Sequence, residues 1–134
     1  MIAFILLIAM NSWCPDVESD SAYTLNVITV NAASDDGTVR AQLFDHDRNI
    51  ILRTNRFIEN REAVISFEEL CTGQYAVRLY HDENDNQKLD TNVLGIPRER
   101  YGYSNNVRGW MGEPSFEHQL FRIESDTTIT IKLE

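Results

Sequence analysis

Oxygen-bearing side chains recur at alternate positions in one segment of this sequence, and this spacing predicts a calcium site. The segment, residues 81–90, reads HDENDNQKLD. Calcium takes six to eight oxygen ligands, and a loop that offers one at every second position can wrap around the ion. The predicted ligands are the side chains of Asp82, Asn84, Asn86 and Asp90 and the backbone carbonyl of Lys88.

The segment departs from an EF-hand loop at two positions. Gln87 stands sixth, where glycine makes the sharp turn, and Val93 stands twelfth, where a bidentate glutamate belongs. With Asp82 and Asp90 as the two carboxylate ligands, we expect a calcium dissociation constant of about 10⁻⁴ to 10⁻³ M. The alternative is a cluster of Asx turns, in which the same side chains cap backbone amides without a metal.

Aromatic and arginine side chains follow the acidic segment and could bind a ligand. The candidates are Arg98, Tyr101, Tyr103 and Trp110. An exposed aromatic patch beside asparagine and arginine suits stacking on a sugar or a peptide. The other interpretation is that the rings cover one end of the domain.

Residues of the types used in acid–base or nucleophilic catalysis are present, but their spacing assigns no catalytic residue. His81 beside Asp82 could act as a base and Ser104 lies in the same segment, yet no nucleophile-elbow glycines surround that serine. His46, His81 and His118 lack the spacing of zinc ligands. A small hydrolase-type enzyme using His81 and the loop carboxylates is kept as the alternative function.

The elements that would position these residues are strands. Period-two alternation and β-branched residues predict them, and no convincing helical stripe competes. The predicted strands are residues 23–30, 38–44, 50–53, 63–67, 74–80, 119–124 and 127–133. About seven short strands separated by turns indicate an all-β, antiparallel sandwich of prealbumin-like or immunoglobulin-like type. Residues 82–115 have no period and form a long ordered loop, while residues 114–121 could begin a helix instead of a strand.

The first ten residues, MIAFILLIAM, are almost purely apolar and precede a polar, acidic stretch. Ten residues are too few for a membrane-spanning helix but match the apolar region of a secretory signal peptide. We therefore predict a signal peptide at residues 1–22 and a single domain at residues 23–134. Cys14 lies where a lipid anchor would attach, although the neighbouring Trp13 fits such a site poorly. Removal of the leader would leave Cys71 alone, so we expect no disulfide within the domain.

The composition excludes one class of partner. The 134 residues carry a formal net charge of −9, and no lysine or arginine precedes Arg40. Such a chain is repelled by phosphate backbones and has no basic stripe to compensate, so nucleic-acid binding is not expected.

Residues 67–106 resemble a widespread family of exported bacterial proteins that is known only as a domain of unknown function. The matching positions are Phe67, Leu70, Gly73, Tyr75, Ala76, Val77, His81, Asp82, Asn84, Asn86, Lys88, Leu89, Asp90, Gly95, Pro97, Glu99, Tyr101, Gly102, Ser104 and Asn105. Gln87 replaces a glycine of the family pattern, and Cys71 replaces a common proline. The resemblance implies the fold and export, and it carries no established activity.

Together these patterns predict an exported, envelope-associated binding or structural module, periplasmic or extracellular, with a low-affinity calcium loop. Its partner would be an envelope protein, a peptide or a glycan, and no transmembrane span is expected in the mature chain.

Overall fold

The computed structural model describes residues 22–110 and 112–134, which fold into strands with little helix. The strands are β1 (Tyr23–Val30), β2 (Thr38–Asp45), β3 (Ile50–Phe57), β4 (Ala63–Leu70), β5 (Gly73–Asp82), β6 (Tyr101–Tyr103), β7 (Phe121–Ile123) and β8 (Thr127–Lys132). A 3₁₀ turn at Ser104–Asn106 and a single helical turn, α1 (Phe116–Gln119), lie between β6 and β7. The prediction of an all-β domain is confirmed.

The strands form two sheets. The smaller has the order β4-β1-β8, in which β1 is antiparallel to β4 and parallel to β8. The larger contains β3, β2 and β5 in that order, and the far side of β5 pairs with both β6 and β7. β6 pairs with residues 78–80 of β5 and β7 with residues 73–75. The end of β5 that pairs with β6 therefore leads directly into the acidic segment.

Both sheets contribute to one apolar core. Leu25, Val27, Ile65 and Ile131 come from the smaller sheet, and Val39, Leu43, Val77 and Ile123 come from the larger; all eight side chains are fully buried. Alternation along each strand produces this face, because successive side chains of a strand point to opposite sides of its sheet. The shared core fixes the two sheets as one scaffold.

A second, smaller apolar cluster lies on the opposite face of the larger sheet. It consists of Phe44, Ala76 and Phe116, and Leu120 packs against it. The rings of Phe44 and Phe116 meet edge to face, with centroids 6.0 Å apart. The turn α1 is thereby held on the outside of β2 and β5, in the segment 114–121 that the sequence had left open between a helix and a strand.

Three of the predicted strands end two or more residues later than expected, and one strand was missed. β3 continues to Phe57, β4 to Leu70 and β5 to Asp82, while β6 lies inside the segment predicted as a loop. The predicted leader, residues 1–22, lies outside the described residues except for Ala22. Cys71 is disulfide-bonded in the full chain, whereas the sequence led us to expect no disulfide within the domain once the leader is removed. No helix among the described residues has the length and apolar character needed to cross a membrane.

Candidate functional site

The predicted metal ligand Asp82 is the last residue of β5, and its carboxylate is fully buried. Arg40 of the neighbouring strand β2 donates its Nε–H to Oδ2 of Asp82 at 2.6 Å. The backbone N–H of Asn86 donates to Oδ1 at 3.1 Å, and that of Gln87 donates to Oδ2 at 2.9 Å. The ion pair raises the pKa of Arg40, chiefly through the hydrogen bond to Asp82. Asp82 thus fixes the first turn of the loop to the sheet.

The polypeptide backbone of this turn has the shape that an EF-hand loop uses at its sixth position. Gln87 adopts a φ of +67° and Asp85 a φ of +53°. Left-handed backbone is costly for a residue with a Cβ, which is why calcium loops carry glycine at this place. The sharp turn is therefore present although the glycine is not.

Asp90 gathers the two asparagines. The side-chain N–H groups of Asn84 and Asn86 each donate to its carboxylate at 2.6 Å, one to each oxygen. These bonds, that from Asn86 first, lower the pKa of Asp90 below its ordinary value despite some desolvation. Three of the five predicted calcium ligands consequently lie in mutual contact.

Glu99 closes the loop and was not singled out as a ligand from the sequence. Its Oε2 accepts the backbone N–H of Glu83 at 2.8 Å, and its Oε1 accepts that of Asp90 at 2.9 Å. Arg40 was also missed. The sequence did not indicate either residue because Arg40 and Glu99 both lie far along the chain from the segment that they stabilise. We refer to residues 82–90 together with Arg40 and Glu99 as the loop base.

The loop base fits a cation only in part. Within the described residues, no three histidine, cysteine or carboxylate side chains form a cluster. Asp82 already serves Arg40 and two backbone amides, and Lys88 donates its own N–H to Oδ1 of Asn86 at 3.2 Å. The observed contacts are those of the Asx-turn alternative. A cation could be held by Asp90 with the amide oxygens of Asn84 and Asn86, because rotation of an amide exchanges its oxygen and nitrogen.

Between the loop base and β6 the chain forms a short hairpin at residues 91–97. Thr91 pairs with Pro97, and the N–H of Asn92 donates to the carbonyl of Ile96 at 2.9 Å. The side chains of Val93, Leu94 and Ile96, which we call the apolar tip, are exposed. In the sequence, Val93 stands out only as a missing calcium ligand, and the apolar tip was not predicted.

Of the four predicted ligand-binding residues, the structure brings Tyr101 and Tyr103 into contact. Tyr101 and Tyr103 meet edge to face with centroids 5.8 Å apart, and the guanidinium of Arg108 lies 5.1 Å from the Tyr101 centroid. Burial raises the pKa of Tyr103. Trp110 is almost wholly exposed, whereas Arg98 lies at the foot of the hairpin, where its N–H donates to the carbonyl of Asp90 at 2.7 Å.

The candidate catalytic side chains are built into the scaffold. Nδ1 of the buried His81 accepts the N–H of Ala33 at 3.3 Å, so Nε2 carries the proton and donates it to the carbonyl of Asp36 at 2.6 Å. The buried hydroxyl of Ser104 accepts the N–H of Val77 at 3.1 Å and donates to the carbonyl of Gln119. Neither side chain is aimed at solvent.

Comparison with known proteins gives one family. The model of the family described as "Uncharacterized protein conserved in bacteria (DUF2141)" matches residues 27–131, which include both sheets, the loop base and the apolar tip. Neither a curated protein nor a solved structure gives a significant match to the chain.

Proposed function

The chain belongs to this family of proteins conserved in bacteria, and from that premise we propose that it is an exported binding or structural module of the cell envelope. In this proposal the leader at residues 1–22 directs the chain to the periplasm or the cell exterior. The two sheets form a sandwich of the prealbumin-like or immunoglobulin-like type, and residues 82–115 are its contact surface.

One observation carries the choice of a module over an enzyme. His81, Asp82 and Ser104 are each 0–1% exposed, and the polar atoms of all three are hydrogen-bonded to other parts of the scaffold. A general base or nucleophile must reach the substrate with an atom that is free to exchange a proton. What the described part of residues 82–115 presents to solvent is instead a set of apolar side chains, those of Val93, Leu94, Ile96 and Trp110, of the kind that can contact a partner.

Calcium enters the proposal as a stabiliser of the loop base. Asp90 and the amide oxygens of Asn84 and Asn86 would supply the ligands, with Lys88 contributing its carbonyl. Support comes from the three converging side chains and from the left-handed turn at Gln87. Asp82 would hold the turn in place from the sheet side.

Cell fractionation tests the proposal. When the full chain is expressed in a bacterium, we expect it in the periplasmic, envelope or medium fraction, shortened by loss of the leader. Deletion of residues 2–10 should hold it in the cytoplasm, because the apolar region is what the export machinery recognises. Recovery of the unshortened wild-type chain from the cytoplasm would refute export and with it the envelope role.

A further inference from the structure

Three aliphatic side chains at the outer end of the loop have no apolar neighbours to cover them. Val93, Leu94 and Ile96 are 100%, 80% and 55% exposed. A single exposed aliphatic residue is ordinary, but three within four positions at one end of a hairpin form a local apolar surface. An exposed apolar surface of this kind indicates contact with a partner.

The hairpin is held by its own polar groups, so the exposure belongs to the folded state. Oδ1 of Asn92 accepts the backbone N–H of Leu94 at 2.9 Å and that of Ile96 at 3.1 Å. The N–H of Gly95 donates to the carbonyl of Asn92 at 3.0 Å. At its foot, the hairpin is fixed to the loop base through the bond from Arg98 to Asp90. Asn92 thus accepts the backbone N–H groups of Leu94, Gly95 and Ile96, and the aliphatic side chains remain exposed.

The size and composition of the apolar tip indicate whether its partner is a protein or a lipid bilayer. A stable protein interface buries about 800 Å² on each side, and its energy is concentrated in tryptophan, tyrosine and arginine. A hairpin end with three aliphatic side chains falls well short of that area and contains none of those residue types. A bilayer needs no matching shape and accepts a small convex apolar end in its acyl boundary.

We propose that the apolar tip inserts into a lipid surface and so attaches the module to a membrane of the envelope. This inference rests on the proposed function, because it names the partner that the exported module contacts. Leu94 and Val93 enter most deeply, and Ile96 follows where the hairpin returns towards the sheet.

The charges around the tip indicate that insertion is driven by apolar burial. The whole chain carries a net charge of −9, and exposed Glu83 and Asp85 of the loop base offset exposed Lys88 and Arg98. Attraction to anionic headgroups would need a basic cluster and would weaken as salt screens it. Binding should therefore occur on zwitterionic lipid and should persist at high salt.

Cosedimentation of the full chain with phosphatidylcholine vesicles tests the inference. We expect Leu94→Asp to lower the partition coefficient by about tenfold or more, since burying one leucine side chain accounts for a factor of that size. Val64→Asp is the matched control, because Val64 is 55% exposed on β4 and lies outside the loop. It should leave binding unchanged, and raising sodium chloride from 50 to 500 mM should not weaken the wild type.

The outcomes separate this inference from the proposed function. If Leu94→Asp and Val64→Asp bind vesicles equally, or if the wild type does not bind, the tip is not a lipid contact. Binding that appears only on phosphatidylglycerol vesicles and disappears in salt would also overturn it, because headgroup charge would then be the cause. Fractionation that still places the chain outside the cytoplasm would leave the envelope module standing in each of these cases.

Discussion

The loop base and the apolar tip are neighbours in the chain, but their side chains have opposite roles. In the loop base, the carboxylates of Asp82 and Glu99 accept backbone N–H groups, and that of Asp82 also binds Arg40. The carboxylate of Asp90 accepts the side-chain amides of Asn84 and Asn86. In the apolar tip, the backbone amides turn towards Asn92 and the aliphatic side chains face solvent. The acidic part is therefore the structural part, and the apolar part is the free surface.

This reversal has a physical cause. A loop has backbone amides without strand partners, and a buried amide left without an acceptor costs free energy. Carboxylates are strong acceptors and stabilise such turns when they lie close enough to receive two amides each. The carboxylates of a long loop can therefore all be engaged in hydrogen bonds that stabilise the loop itself. The few apolar residues are then the ones that remain available for contact with a partner.

Removal of the Asp82 carboxylate is the strongest test of the structural role assigned to the loop base. Asp82→Ala removes the buried partner of Arg40, which keeps only the exposed Asp85, and it removes the carboxylate that accepts the N–H groups of Asn86 and Gln87. Removing one member of a buried ion pair costs about 3–5 kcal/mol, so we expect a loss of that order in the free energy of unfolding. Urea denaturation of both proteins measures it.

Asp85→Ala provides the control for Asp82→Ala. Asp85 carries the same charge and also contacts Arg40, at 3.3 Å, but 65% of its side chain is exposed. Exposed ion pairs contribute about 0–1 kcal/mol, so its loss should be small. Similar losses for the two variants would mean that Asp82 acts only through surface charge, and the structural role assigned to the loop base would fail.

Two glycines sharpen the contrast further, because both have left-handed backbone and only one is crowded. Gly37 has a φ of +69°, and a Cβ there would lie 1.9 Å from the backbone oxygen of Asp82. Gly95, in the hairpin of the apolar tip, has a φ of +78° and open space around it. Gly37→Ala should cost about 3 kcal/mol in unfolding free energy, from backbone strain and from the clash together.

Gly95→Ala should cost only about 1 kcal/mol, because the strain remains but nothing must move. Thermal or urea unfolding of the pair measures the difference. A cost for Gly95→Ala as large as that for Gly37→Ala would show that the hairpin is packed against the domain, contrary to the exposure on which its contact role depends.

Most of the scaffold could be predicted from the sequence because alternation reports burial directly. Val39, Ala41 and Leu43 alternate with polar residues, and so do Ile129, Ile131 and Leu133, and each run became a strand with that face inward. β6 was missed because a three-residue strand, Tyr101–Tyr103, is too short to show a period. α1 was left open between helix and strand because one turn carries no helical stripe.

The candidate site was predictable in position but not in arrangement. The side chains of Asn84, Asn86 and Asp90 lie in contact, as their close spacing in a tight loop leads one to expect, while their role as calcium ligands stays a prediction. That spacing could not reveal Arg40 or Glu99, which arrive from β2 and from beyond the hairpin. The grouping of Trp110 and Arg98 with the two tyrosines is not found, because only Tyr101 and Tyr103 share the face of one strand.

The smallest expected effect concerns calcium, and it decides between the two interpretations of the loop base. At 10 mM calcium, a dissociation constant of about 10⁻³ M would stabilise the fold by about 1.4 kcal/mol. That corresponds to a rise of about 5 °C in the melting temperature of a domain of this size. Differential scanning fluorimetry with and without calcium measures the rise.

Asp90→Ala should abolish the response, because it removes the carboxylate on which both asparagines converge, whereas Asp85→Ala should retain it. The pair removes equal charge from the same loop, so a response that depends on net charge would decline equally in both. The calcium-free melting temperatures of the two variants also provide the baseline for each shift. An equal response in Asp90→Ala and wild type would leave the loop base as a metal-free cluster of Asx turns, in which the carboxylates act only as hydrogen-bond acceptors for other groups of the protein.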